Sequence, residues 1–229
     1  MTAANQLACP GPAVLIDKLG CWLSVLSEVP RAKARGALFL DWDCLHGEPG
    51  GQVERKRFVP SNACLRLLAL VSRAEMAVVL LAHLPAIAAG RSNWGEFTAG
   101  SLRLGGRLAR EGGRLDAVAA CAFDPAGQGA LCAGAHPWTP PYPGMVLAVL
   151  EALRLDRGQC TLLGATPAML RAGRSANLGS VIFLGGPALG APDDGEADLA
   201  HASVADFAEL RFESSPGRLV AAARERSGA

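Results

Sequence analysis

The sequence predicts an α/β protein, with an open, mainly parallel sheet covered by helices on both faces and preceded by an N-terminal helical extension. Three observations carry that expectation. Short, uninterrupted apolar runs recur along the chain, as strands buried on both faces require. Between them lie longer stretches whose apolar residues fall at helical spacing. Half of the 229 residues are hydrophobic, enough to bury such a layered core.

The elements follow in order. Residues 13–28 (AVLIDKLGCWLSVLSE) place Leu15, Leu19, Trp22, Leu23 and Leu26 on one side of a helix. That helix either packs on its own domain or docks another subunit through Leu15, Leu19, Trp22 and Leu26. Strands are expected at GALFLD (36–41), MAVVLLA (76–82), LDAVAAC (115–121), CTLLG (160–164) and SVIFLG (180–185). Helices are expected at 61–73, 93–110, 143–155 and 166–176. Asn93 with Glu96 reads as a capping box, and Pro143 suits the first turn of its helix. The strand–helix alternation implies right-handed crossovers. Residues 185–198 read as a Gly-, Pro- and acid-rich surface loop, and the chain after Arg211 as a short surface helix that frays. The organisation is thus an extension over 1–35, an α/β domain over 36–212 and a tail over 213–229.

Charge and composition exclude some partners. A net charge of +1 gives no electrostatic reason to expect nucleic acid or a membrane surface. The basic runs RAKAR (31–35) and ERKRF (54–58) are short and lack interleaved aromatics. No apolar window is long enough to cross a bilayer, and the N-terminus lacks the basic segment of a secretion signal. The seven cysteines include no CxxC pair, which suits a reducing cytoplasm.

The first core strand ends on two aspartates, Asp41 and Asp43. Ligands of open α/β sheets bind beyond the carboxyl ends of strands, which is where this pair falls. An aspartate there also has a purely structural use, capping the turn that follows. A hydrophobic strand ending in D-x-D resembles the first motif of the haloacid dehalogenase (HAD) superfamily. The order of FLDWDCLHGE, VVLLAHLPAIAAG (78–90), PPYPGMVLAVLEAL (140–153), TLLGATPAMLRAG (161–173) and ADLAHASVADFAEL (197–210) resembles its heptose bisphosphate and histidinol phosphatase branch. That resemblance implies a Rossmann-type, HAD-like sheet. It also implies Asp41 as nucleophile, Asp43 as acid and base, a sugar-phosphate type of phosphomonoester as substrate, and Mg²⁺.

Other positions depart from the pattern. The Thr or Ser that bonds the phosphate is replaced by Ala82, and a methyl group donates no hydrogen bond. The phosphate-holding lysine is replaced by Pro140, and the chain has no lysine after Lys56. The magnesium-holding acids are replaced by Ala165 and Met169, with no acidic residue between Asp156 and Asp193. A carboxylate approaching a phosphate dianion is repelled unless a metal and a cation screen both. Magnesium needs a near-octahedral oxygen shell that Asp41 and Asp43 only begin to supply. Each missing group removes its own stabilisation of the transition state, and about 1.4 kcal/mol is a tenfold loss of rate.

The expected function is therefore a catalytically degenerate phosphatase-like protein, a pseudoenzyme acting as a binding or structural subunit. It would need no cofactor and would work with a protein partner or as a homo-oligomer. One alternative is a weak or altered phosphomonoesterase using Asp41, Asp43 and magnesium. Another is a small-ligand sensor whose cleft is lined by His83, Ala82, Pro140 and Ala165. The branch also implies a structural zinc held by Cys-x-His and Cys-x-Cys. Here Cys121, Cys132 and His136 are the candidates, and Phe123 takes the histidine's place. Three ligands leave a closed site one short, so no zinc is expected there.

Overall fold

The computed structural model describes residues 20–26, 36–45, 60–185, 200–213 and 218–221. Seven strands form one sheet: β1 (Cys21–Val25), β2 (Ala37–Asp41), β3 (Ala77–His83), β4 (Ala117–Cys121), β5 (Thr161–Gly164), β6 (Ser180–Leu184) and β7 (Ala202–Val204). Their order is β1-β4-β3-β2-β5-β6-β7. All neighbours from β4 to β7 run parallel, and β1 closes one edge antiparallel to β4. The helices are α1 (Asn62–Arg73), a single turn α2 (Pro85–Ala88), α3 (Trp94–Arg110), α4 (Gly144–Leu153) and α5 (Pro167–Ser175). Among the described residues no helix is long and apolar enough to cross a membrane.

Successive side chains of a strand point to opposite faces, so each central strand feeds two cores. Leu38, Leu40, Val78, Leu80, Leu163 and Ile182 join α1 and α3 through Leu68, Phe97, Leu104 and Leu108. Phe39, Val79, Leu81, Leu162 and Val181 join α4 and α5 through Met145, Val149, Met169 and Leu170. This double burial is why the strands read as unbroken apolar runs. Side-chain caps fix the helix starts. Ser61 accepts from the Cys64 amide, Asn93 from Glu96 and Thr166 from Met169, at 3.1, 3.0 and 3.2 Å. The predicted capping box at Asn93 is half made, because the Glu96 carboxylate takes the Ser92 hydroxyl at 2.8 Å. Pro143 is the N-cap of α4 rather than its first residue. At Gly100, α3 lies so close to Trp42 that a Cβ would stand 2.8 Å from the indole.

A buried carboxylate, Asp116, precedes β4. Its Oδ2 accepts the Val78 amide at 2.8 Å and its Oδ1 meets Arg114 Nε at 2.6 Å. It stitches the start of β4 to β3 and takes no part in the cleft.

Two expectations about the chain ends are corrected. The stretch read as an amphipathic helix contains the edge strand β1, in register with Ala117–Cys121. Cys21 and Leu23 point into the α4/α5 layer, while Trp22 packs on the α3 side against Trp94 and Phe97, edge to face at centroid distances of 6.1 and 5.7 Å. Five residues facing the otherwise unpaired edge of β4 form a ladder in preference to one helical turn and a half. Trp22 is therefore a packing residue of its own domain, Leu26 is exposed just beyond the strand, and Leu15 and Leu19 lie outside the described residues. At the other end the predicted surface helix is a hairpin, β8 (Leu210–Glu213) with β9 (Arg218–Ala221). Leu210 and Leu219 bury against the α1 layer, so the 212/213 boundary cuts a folded unit.

Candidate functional site

The sheet order fixes where a cleft opens. From β2 the chain steps through β3 and β4 to one side, then places β5, β6 and β7 on the other. The switch point lies between β2 and β5, where the crossovers diverge and leave room at the carboxyl ends. Asp41 is the last residue of β2 and is 2% exposed. A 3-10 turn, Trp42–Leu45, carries Asp43 out to solvent.

Both oxygens of Asp41 are engaged. The Asp43 amide donates to Oδ1 at 3.2 Å and the Ala165 amide, just past β5, donates to Oδ2 at 3.1 Å. The carboxyl thus bridges the two strands of the switch point. Burial pushes its pKa up to about 7, the nearby Asp43 charge adds to the rise, and the two amides oppose it. Asp41 therefore holds its proton to a much higher pH than an ordinary carboxyl. Cys44, which the sequence reading passed over, is buried beside it with Sγ 3.6 Å from the Leu163 carbonyl. Burial, reinforced by Asp41, holds that thiol well above the ordinary range, so it is a poor nucleophile.

The other cleft candidates divide. Ala165 is at the site, as its amide shows. Ala82 is fully buried in the α1/α3 layer, because strand alternation turns it away from the cleft, and it is corrected to a core residue. His83 ends β3 half-buried, with Nε2 3.0 Å from the Phe123 carbonyl, so Nε2–H donates and the ring is tied to the β4 loop. Pro140 lies in the loop before α4, after Thr139, whose hydroxyl donates to the Phe123 carbonyl at 3.2 Å. Its ring supplies neither a charge nor a donor.

Neither metal that the resemblance implies fits the residues it would use. Ala165 and Met169 offer no oxygen side chain, and among the described residues no group of three metal-binding side chains surrounds Asp41. For zinc, the expected trio is broken. Cys132 is exposed, with Sγ 3.4 Å from the Pro125 carbonyl, while Cys121 and His136 come together with a different cysteine, Cys21. Cys21 lies far away in sequence on a segment read as helix, so only the β1–β4 register reveals it.

A D-glycero-beta-D-manno-heptose-1,7-bisphosphate 7-phosphatase of Mesorhizobium japonicum is 32% identical over 182 residues, covering 76% of this chain and 80% of the relative. Among solved structures, one described as a HAD-like phosphatase from Mesorhizobium loti matches with a TM-score of 0.64 at 29% identity, covering 76% of this chain and 83% of its own. The D,D-heptose 1,7-bisphosphate phosphatase of B. bronchiseptica, complexed with magnesium and phosphate, matches in fold with a TM-score of 0.60 at 20% identity, covering 75% and 94%. No family model matches the chain.

Proposed function

The chain belongs to the HAD superfamily, in its heptose bisphosphate phosphatase-like branch, and on that premise we propose that it is a phosphatase-like protein that has given up phosphoryl transfer to serve as a binding or structural subunit. One observation carries the reading. Where the family pattern places a metal-holding acid, this chain places Ala165, whose amide hydrogen-bonds Asp41 Oδ2. The carboxyl is thereby engaged within the fold, and its raised pKa leaves it partly protonated and a weaker nucleophile. Pro140 supplies no cation to draw a phosphate towards it. The subunit would act with a protein partner or a second copy of the chain, read by light scattering and by native co-purification.

A second reading rests on the retained Asp41–Asp43 pair at the switch point and on the activity named for the Mesorhizobium japonicum relative. It is a slow phosphomonoesterase with Asp41 as nucleophile and Asp43 as acid and base. Hydrolysis of a phosphoester panel that includes a heptose bisphosphate, with and without magnesium, decides between them. The wild type should not exceed the Asp41→Asn background. Magnesium-dependent turnover that vanishes in Asp41→Asn and rises as pH passes about 7, where Asp41 ionises, would establish the enzyme instead.

A further inference from the structure

Strand β1 runs antiparallel to β4, which brings Cys21 opposite Cys121. The Ala122 amide donates to the Gly20 carbonyl at 2.7 Å, and the Leu26 amide to the Asp116 carbonyl at 2.8 Å. Those bonds set the phase of the ladder. Hydrogen-bonded pairs fall on the even-numbered residues of this segment, so Cys21 and Cys121 are a non-hydrogen-bonded pair, the class whose side chains approach most closely. Both are buried, at 2% and 0% exposure. His136, from the loop ahead of α4, completes the group. Its two ring nitrogens stand 3.8 and 3.9 Å from Cys21 Sγ, and the three ligand atoms lie within 4.8 Å of one another. The ring is positioned by stacking on Phe123 at a centroid distance of 4.2 Å and by the Trp138 amide, which donates to Nδ1 at 3.2 Å.

We propose that Cys21, Cys121 and His136 form a zinc site, supplying three of the metal's ligands. Two sulfurs and an imidazole suit zinc, and three protein ligands with one open position is an established arrangement for it. Tetrahedral zinc sets ligand atoms about 3.5–3.8 Å apart, so the observed group closes by small side-chain rotations. Cys21 Sγ is nearly equidistant from both ring nitrogens, so the half-buried His136 ring turns to aim one lone pair at the metal. Zinc displaces the two thiol protons, which leave to solvent as the thiolates form. The ligand set differs from the one implied by the family resemblance. Phe123 stacks on His136 instead of ligating, Cys132 stands apart, and Cys21 enters from a strand outside that loop. The metal would clamp the edge strand and the His136 loop onto β4.

The test uses full-length protein purified under reducing conditions, loaded with zinc and dialysed. Metal analysis should find stoichiometric zinc, and cobalt in its place should add thiolate-to-metal absorption in the near ultraviolet. Cys21→Ser and His136→Ala should lose both signals and Cys132→Ser should keep both, with circular dichroism verifying the fold of each. If Cys21→Ser does not fold, His136→Ala decides, since a half-exposed loop ring is not part of the sheet. Zinc retained in His136→Ala, zinc lost in Cys132→Ser, or no zinc in the wild type overturns the site. So does a Cys21–Cys121 disulfide, found by mass spectrometry, that persists in reducing, zinc-containing buffer.

Discussion

Asp41 shows how a single residue type can be read correctly and still mislead about its state. The D-x-D pattern located the carboxyl at the end of a buried strand, but the Ala165 amide that engages it comes from a strand over a hundred residues away and is invisible in sequence. Its pH behaviour follows from the physics of the site. The folded pKa, about 7, lies above the unfolded value of 3.8. Folding therefore favours the protonated form, and stability is fully present below the unfolded pKa and lost as pH rises through about 7. An asparagine has no proton to lose. The melting temperature of Asp41→Asn relative to wild type should therefore climb between pH 4 and pH 8, by the equivalent of a few kcal/mol in order of magnitude. Thermal unfolding followed across that range measures it. A constant difference would mean that Asp41 is ionised throughout and that its burial is relieved by solvent.

At the scale of elements, legibility tracked burial. The central strands β2 to β6 were visible because both faces are covered and their apolar runs are unbroken. The edge elements were not. In β1 the sequence Cys-Trp-Leu-Ser-Val satisfies a helical and a strand period alike over so short a stretch, and only the free edge of β4 chooses between them. Helix propensity cannot see that partner. The hairpin β8–β9 was missed for the same reason, since half of it faces solvent and its apolar residues, Leu210 and Leu219, belong to the α1 layer. The assignment of β1 has a measurable consequence. Leu23 is 1% exposed inside the α4/α5 core, so Leu23→Ala should cost about 2–5 kcal/mol in urea unfolding. A side chain on a peripheral docking helix would cost no more than about 0.5 kcal/mol, and a result that small would remove β1 from the sheet.

For the whole molecule, the open, mainly parallel sheet was legible in the alternation of elements, because crossover handedness and double burial leave few architectures, whereas the order of its strands and the switch point between β2 and β5 come from the structure. The chemistry was not equally predictable. The scaffold keeps its sheet and Asp41, while Ala165 and Met169 stand where the family resemblance implies metal-holding acids. On the binding-subunit reading proposed above, returning an acid to that backbone should create magnesium binding. Ala165 is the position to test, since its amide already hydrogen-bonds Asp41 and its side chain begins beside the cleft. In Ala165→Asp a third carboxylate joins Asp41 and Asp43. Without metal the added buried charge should lower the melting temperature and raise the Asp41 pKa further. Magnesium should then restore the melting temperature of Ala165→Asp while leaving the wild type unmoved, because only the variant offers the ion a shell of oxygen ligands. A magnesium-induced rise in the wild type itself would mean that other residues already complete that shell, and the phosphatase reading would take precedence over the binding one.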